Sequence, residues 1–167
     1  MSLIKLNIDQ EPIVYDIKIG NSIIKESLLD INDYSKALIV HDSAINSDIT
    51  SLILESLTDN NIQSNQLSID TSKKTKSFSS FTKINDYLMT NNYSKDSLLI
   101  SLGGGSTGDL VGFIASSYYR GIDYIQIPST LLSMIDSSIG GKTGIDTPNG
   151  KKISIMLEEI GYEYKIT

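Results

Sequence analysis

The sequence predicts an α/β domain in which helices flank a mostly parallel sheet, and three observations carry that reading. Short apolar runs of strand type, Ala37-Leu38-Ile39-Val40 and Leu98-Leu99-Ile100-Ser101-Leu102, alternate with stretches whose apolar residues recur at helical spacing. The second run closes on Gly103-Gly104-Gly105, as a strand buried on both faces does where its backbone must turn sharply. The length of 167 residues with 40% apolar content is that of one domain able to bury a core.

Taken in order, Ile4 to Ile8 and Val14 to Ile19 alternate apolar and polar residues around the Asp9-Gln10-Glu11-Pro12 break, which predicts an N-terminal β-hairpin. Asn21 or Ser22 then caps a short helix through Leu29. The strand Ala37–Val40 ends at His41-Asp42. Ile49, Leu52, Ile53 and Leu57 form a core-facing helical stripe behind Asp48. Leu67-Ser68-Ile69 is read as a strand, and Phe78, Phe81, Ile84, Tyr87 and Leu88 form a second stripe behind Ser77. After the strand Leu98–Leu102, Thr107 or Ser106 caps a helix through Leu110, Val111, Phe113 and Ile114. Asp123 opens the next strand. This alternation implies parallel strands joined by crossovers.

Charge and composition narrow the function. A net charge of −6 argues against a general nucleic-acid binder, which needs a basic face. No apolar stretch is long enough for a membrane span, and Met1-Ser2-Leu3 begins no charged-then-apolar leader, so a cytoplasmic protein with neither membrane nor nucleic-acid partners is expected. The chain has no cysteine and one histidine. Thiolate metal sites and disulfides are thereby excluded, and His41, beside a strand end, is given no role.

The glycine run is a candidate ligand site. Three glycines let a backbone approach a ligand closely, and the N–H groups of the following helix start favour a diphosphate. Gly103, Gly105 and Gly108 satisfy G-x-G-x-x-G, but the acid that should close the second strand is matched only by Asp123, which opens its strand. Gly141-Lys142-Thr143 fails as a triphosphate loop because Asp136 stands where the earlier glycine should be.

Three motifs taken together resemble those of 3-dehydroquinate synthase, the cyclase of the shikimate pathway. GGG-x-x-GD-x-x-GF-x-A spans Gly103 to Ala115, P-[ST]-T-L-L spans Pro128 to Leu132, and D-S-S-x-GGKTG spans Asp136 to Gly144, with Tyr118-Tyr119-Arg120-Gly121 between the first two. The similarity runs from about Tyr15 to about Lys151. It implies a Rossmann-like cofactor domain over residues 1–151, with the family's helical C-terminal domain absent, and a homodimer.

The resemblance also implies the chemistry. NAD oxidises one hydroxyl of a seven-carbon keto-acid phosphate, phosphate leaves, the ketone is reduced again and the ring closes, with a zinc or cobalt ion polarising the oxygen. Carried over by position, Asp42 would hold the adenosine ribose, Gly104 and Gly105 the diphosphate, and Lys76, Asp109, Ser129, Thr130, Lys142 and Lys151 other parts of the cofactor. Asp136 and Lys142 would act on the substrate, with Lys151 nearby. Each has an alternative: Asp42 and Thr130 as helix caps, Asp136 paired to Lys142, Lys151 as a surface charge. Two positions depart from the family pattern. Lys73 stands where a Glu would accept from ribose hydroxyls, which an ammonium cannot do, and Ala44 stands where an Asn is usual. Weak NAD binding is expected.

The family's metal ligands, a Glu and two His, lie in its second half, so a zinc site of the usual donors is not expected here. After Lys151, Lys152 replaces a substrate-contacting Asn. Thr147 to Thr167 instead resembles the opening of a glutathione transferase, T-P-N-G-x-K-[IV]-S-x-x-L-E-E-x-G-x-x-Y. Residues 152–167 are accordingly read as a foreign tail of separate coding origin, with an amphipathic helix from Ile153 to Ile160, a C-cap at Gly161 and a short strand. A truncated cyclase half with no activity of its own is the favoured reading. A non-catalytic nucleotide-binding module and a related sugar-phosphate cyclase are the alternatives.

Overall fold

Parallel strands with helices on both faces build the computed structural model, which describes residues 17–29, 31, 33–71, 75–147, 152–156 and 164–166. The elements are α1 (Ile24–Ser27), β1 (Lys36–Asp42), α2 (Ser47–Asp59), β2 (Gln63–Ile69), α3 (Phe78–Thr90), β3 (Ser97–Gly103), α4 (Gly105–Ser117), β4 (Asp123–Pro128), β5 (Lys142–Asp146), β6 (Lys152–Met156) and β7 (Tyr164–Ile166). Five strands form one sheet in the order β2-β1-β3-β4-β7, each neighbouring pair parallel. β5 and β6 form a separate antiparallel pair.

Alternation along the central strands divides the core into two layers. Leu38 and Val40 of β1, Leu99 of β3 and Tyr124 of β4 pack with Ile84 and Leu88 of α3 and with Leu110, Val111 and Ile114 of α4. Their neighbours Ala37, Ile39, Leu98, Ile100, Ile125 and Ile127 pack on the other face with Leu28, Ile53 and Leu57. Every residue of β3 is buried, as its uninterrupted apolar run predicts. Full burial of each such aliphatic side chain contributes roughly 1.5–3 kcal/mol. An edge-on contact between Phe81 and Phe113, ring centres 5.5 Å apart, ties α3 to α4.

The helix stripes after Asp48 and Ser77 form α2 and α3; Ser77 is the cap of α3, whereas α2 starts one residue before Asp48 and is capped by Asn46. Asn46 Oδ1 accepts from the Asp48 amide at 3.0 Å, and Ser77 Oγ accepts from the Ser80 amide at 3.2 Å.

Several expectations are corrected. The helix expected through Leu29 is only four residues long, and neither Asn21 nor Ser22 caps it. Its N-cap position is Ile23, and Ser22 has a left-handed φ of 60° rather than cap geometry. α4 begins at Gly105, ahead of both proposed caps, and has no side-chain cap. The helix expected from Ile153 to Ile160 is a strand over its described part. Lys152–Met156 pairs with β5, Ile153 opposite Ile145 and Ile155 opposite Thr143. An alternating Ile-Ser-Ile segment fits either period over five residues, and the waiting edge of β5 decides the outcome. Residues 157–163, including Gly161, lie outside the described residues. The short strand expected near the end is β7. The predicted hairpin also falls mostly outside them, and the described Ile17–Gly20 belongs to no named strand.

Between α4 and β4 the chain turns through three successive positive φ values: 50° at Tyr119, 62° at Arg120 and 112° at Gly121. After β4 comes a π-helical turn, Ser133–Ser137, in which the Ser138 amide donates to the Ser133 carbonyl at 3.0 Å. Leu131 and Leu132 just before this turn and Ile135 on it are 72%, 75% and 68% exposed, apolar side chains facing solvent.

Candidate functional site

Parallel register places the carboxyl ends of β1, β2, β3 and β4 on one edge of the sheet. Asp42 is opposite Ile69, and Gly103 is opposite Pro128. The chain leaves β1 for β2 on one side and returns to β3 on the other, so the order reverses between β1 and β3. Open α/β sheets bind ligands in the crevice at that point.

Asp42 closes β1 at this crevice. Its Oδ1 accepts from the Ala44 amide at 3.0 Å, and its Oδ2 accepts a short hydrogen bond from the Thr71 hydroxyl. Asn46 rather than Asp42 caps α2. Each Asp42 oxygen retains acceptor capacity for a further donor such as a sugar hydroxyl.

Across the crevice, β3 passes into α4 through the glycine run. The Gly103 carbonyl accepts from the Ser129 amide at 2.8 Å, which fastens the end of β4 to the loop. Gly104 is the N-cap of α4, and its carbonyl accepts from the Thr107 and Gly108 amides, each at 3.1 Å. The first amides of the helix, at Gly105 and Ser106, have no intrahelical acceptor, and the dipole adds partial positive charge there. A methyl group on Gly104 would make only ordinary contact with Thr130 Cγ2 at 3.6 Å, whereas one on Gly105 would press on Ser137 Oγ at 3.1 Å. Thr107, one of the two expected caps, is wholly buried, and its Oγ1 lies 2.7 Å from where a Gly103 Cβ would stand. Gly108 brings α4 against the sheet, since a Cβ there would meet Gln126 Nε2 at 2.3 Å.

Of the remaining expected residues, the structure joins two directly. Lys76 Nζ donates to Asp109 Oδ2 at 2.7 Å, and the Lys76 carbonyl accepts from the Asp146 amide at 2.6 Å. Thr130 Oγ1 accepts from the Ser133 amide at 3.2 Å, so its cap role is realised, and both Ser129 and Thr130 are exposed at the crevice rim. Asp136 is exposed on the π-helical turn, and Lys142 is exposed at the start of β5. No ion pair joins these two among the described residues, so their structural pairing is not realised. Lys73 and Lys151 lie outside the described residues.

Sequence reasoning missed Thr71, which holds Asp42, and Ser137, which rests on Gly105. Ser137 was within reach of the D-S-S motif. The Thr71 contact spans 29 positions and has no local signal.

Tyr124 lies beneath the loop. Its hydroxyl pairs with Ser101 Oγ at 2.7 Å and donates to the Gly108 carbonyl at 3.0 Å. Burial raises its pKa well above the ordinary phenol value, the Ser101 hydrogen bond opposes the shift, and the Asp109 carboxylate adds to it.

A dinucleotide fits this donor and acceptor set: a carboxylate at the β1 end, bare glycine backbone and helix amides opposite, and hydroxyls at the rim. A catalytic metal does not. Among the described residues no three His, Cys, Asp or Glu side chains converge, and His41 Nδ1 is engaged with its neighbour Asp42's carbonyl at 3.0 Å. No described helix is long and apolar enough to cross a membrane.

Comparison with known proteins agrees with this geometry. A family model for the N-terminal part of 3-dehydroquinate synthase matches residues 66–156, five residues past Lys151. The 3-dehydroquinate synthase of Pelagibacter ubique is 39% identical over 157 residues, covering 92% of this chain and 42% of that protein. Among solved structures, 2-epi-5-epi-valiolone synthase from Streptomyces hygroscopicus subsp. jinggangensis 5008, with NAD+ and Zn2+ bound, superposes with a TM-score of 0.81 at 23% identity, covering 97% of this chain and 44% of that one. A 2-deoxy-scyllo-inosose synthase complexed with carbaglucose-6-phosphate, NAD+ and Co2+ gives 0.78 at 19% identity, covering 91% and 41%. The chain thus spans about two fifths of the length of the relatives it matches.

Proposed function

The chain belongs to the 3-dehydroquinate synthase family, and from that premise we propose that it is the NAD-binding half of such a cyclase. The supporting observation is the placement of the α4 start, bare at Gly104, between Asp42 at the end of β1 and Thr130 after β4. Asp42 accepts from the adenosine ribose while Thr71 and the Ala44 amide hold its carboxylate in place. Gly104 and Gly105 bring backbone and helix amides to the diphosphate. Asp109, steadied by Lys76, faces the nicotinamide side, and Ser129 and Thr130 line the rim. Bound NAD supplies hydride acceptance and return. Asp136 and Lys142 face the substrate, a seven-carbon keto-acid phosphate, with Lys142 also reaching the cofactor. Lys151 completes this set.

The divalent metal of the family is not held by the described donors, so a whole catalytic cycle by this chain alone is not expected. A homodimer and a cytoplasmic location complete the reading. Relatives of 36–42% identity are 3-dehydroquinate synthases, which favours that substrate over those of other sugar-phosphate cyclases. The tail is read as a separate piece from its transferase-like text, and sequencing source DNA across codons 140 to 167 tests that join; one continuous genomic reading frame would remove it.

Calorimetric titration tests the cofactor assignment. NAD should bind, weakly and in preference to ATP, and Asp42→Ala with Gly104→Val should abolish binding. Selective ATP binding, or NAD binding indifferent to both changes, would overturn it.

A further inference from the structure

We infer that Gly112 and Thr143 are positioning residues which seat the β5 strand on bare helix backbone and thereby set where Lys142 stands relative to the glycine loop. The inference rests on the reading of Lys142 as a cofactor contact.

A Cβ built at Gly112 would lie 2.5 Å from Thr143 Cγ2, with Thr143 Cβ and Tyr124 Cε1 each at 3.4 Å. Carbon atoms rest at about 3.5–4.0 Å, so any side chain here would displace β5 by roughly 1 Å. Thr143 is buried and adjoins the exposed Lys142. The far end of β5 is held independently, by the Asp146 amide on the Lys76 carbonyl at 2.6 Å and by a parallel bridge from Ser77 to Asp146. Lys76 in turn grips Asp109 of α4. One helix therefore carries the Gly104–Gly105 cradle at its start, Asp109 one turn on and the Gly112 seat a further turn on. A strand clamped at Asp146 and pushed at Thr143 tilts together with its ladder partner β6, and Lys142, opposite Met156 at the end away from the clamp, moves most. Displacements of that size are what site geometry tolerates least.

The test compares Gly112→Ala, Gly112→Ala with Thr143→Ser, and each with Lys142→Met. Alanine is the better helix former, so a loss at Gly112 reports packing. Serine keeps the Thr143 hydroxyl and removes the offending methyl. In amide hydrogen exchange, Gly112→Ala should speed exchange across Lys142–Asp146 about tenfold, and Thr143→Ser should restore it. In NAD titration, Lys142→Met should weaken binding about tenfold in the parent, the size of one charged hydrogen bond. It should have no effect with Gly112→Ala and regain its effect once Thr143→Ser is added. A merely structural role would lower affinity without erasing the Lys142 dependence.

Unchanged exchange in Gly112→Ala, failure of Thr143→Ser to rescue, or an undiminished Lys142 effect would overturn the inference. Should Gly112→Ala not fold, Thr143→Ile presses the same contact from the strand side and is read identically. A parent chain that binds no NAD would overturn the functional reading and, with it, the role given to Lys142, while the exchange comparison still decides whether the seat exists.

Discussion

Lys76 Nζ lies 2.7 Å from Asp109 Oδ2, and this ion pair joins the loop after β2 to the second turn of α4 across 33 positions of sequence. The two side chains are only 16% and 23% exposed, so solvent and salt screen the attraction in part rather than wholly. A double-mutant cycle with Lys76→Met and Asp109→Asn should give a coupling of about 0.5–1 kcal/mol in urea unfolding, shrinking in high salt. A coupling of zero at low salt would mean that the pair does not form in solution.

The Tyr124 hydroxyl sets an alkaline limit. Its folded pKa is raised above the ordinary 10.0, chiefly by burial, so the native state keeps a proton that the unfolded chain loses. Stability from this group is complete below pH 10 and declines as pH rises toward the folded value, by up to about 1.4 kcal/mol per pH unit. Tyr93 and Tyr118 are raised in the same direction, first by burial, and add to the slope. Tyr124→Phe should be less stable at pH 7 by about 1–2 kcal/mol, because it strands polar atoms of Ser101 and Gly108, yet show a shallower decline above pH 10. Equal alkaline slopes in denaturant titrations of the two proteins would contradict this.

Metal should leave the protein indifferent. A zinc ion bound to the native state at a hundredfold excess over its dissociation constant would add about 2.7 kcal/mol and raise the melting temperature by several degrees. With no cluster of suitable donors among the described residues, neither zinc nor a chelator should move the melting temperature. Zinc-dependent phosphate release from the seven-carbon keto-acid phosphate by this chain alone would show that a metal site exists.

Local signals were legible wherever a residue's role depends on its near neighbours. The buried run Leu98–Leu102 fixed β3, Ser77 announced α3, and the triple glycine marked the turn into α4. The strand-end position of Asp42 was readable for the same reason. Roles that depend on distant partners were not. Lys152–Met156 is a strand because β5 offers an edge, a fact that no window on the tail contains. Thr107 looks like a cap by type and spacing, but it is already inside the first turn and packed under Gly103, so its hydroxyl cannot serve the helix end. Nor could spacing disclose that Gly112 lies directly against Thr143 of β5.

The turn from α4 into β4 limits which sequences can replace it. Tyr119, Arg120 and Gly121 all occupy the left-handed half of backbone space, where a β-carbon crowds the following carbonyl and a branched one crowds it most. Asparagine or glycine can drift into these places, but valine, isoleucine and proline cannot. An aromatic and a cation are thus held on a stretch of chain that selection can alter only within a narrow alphabet, whatever those two side chains do.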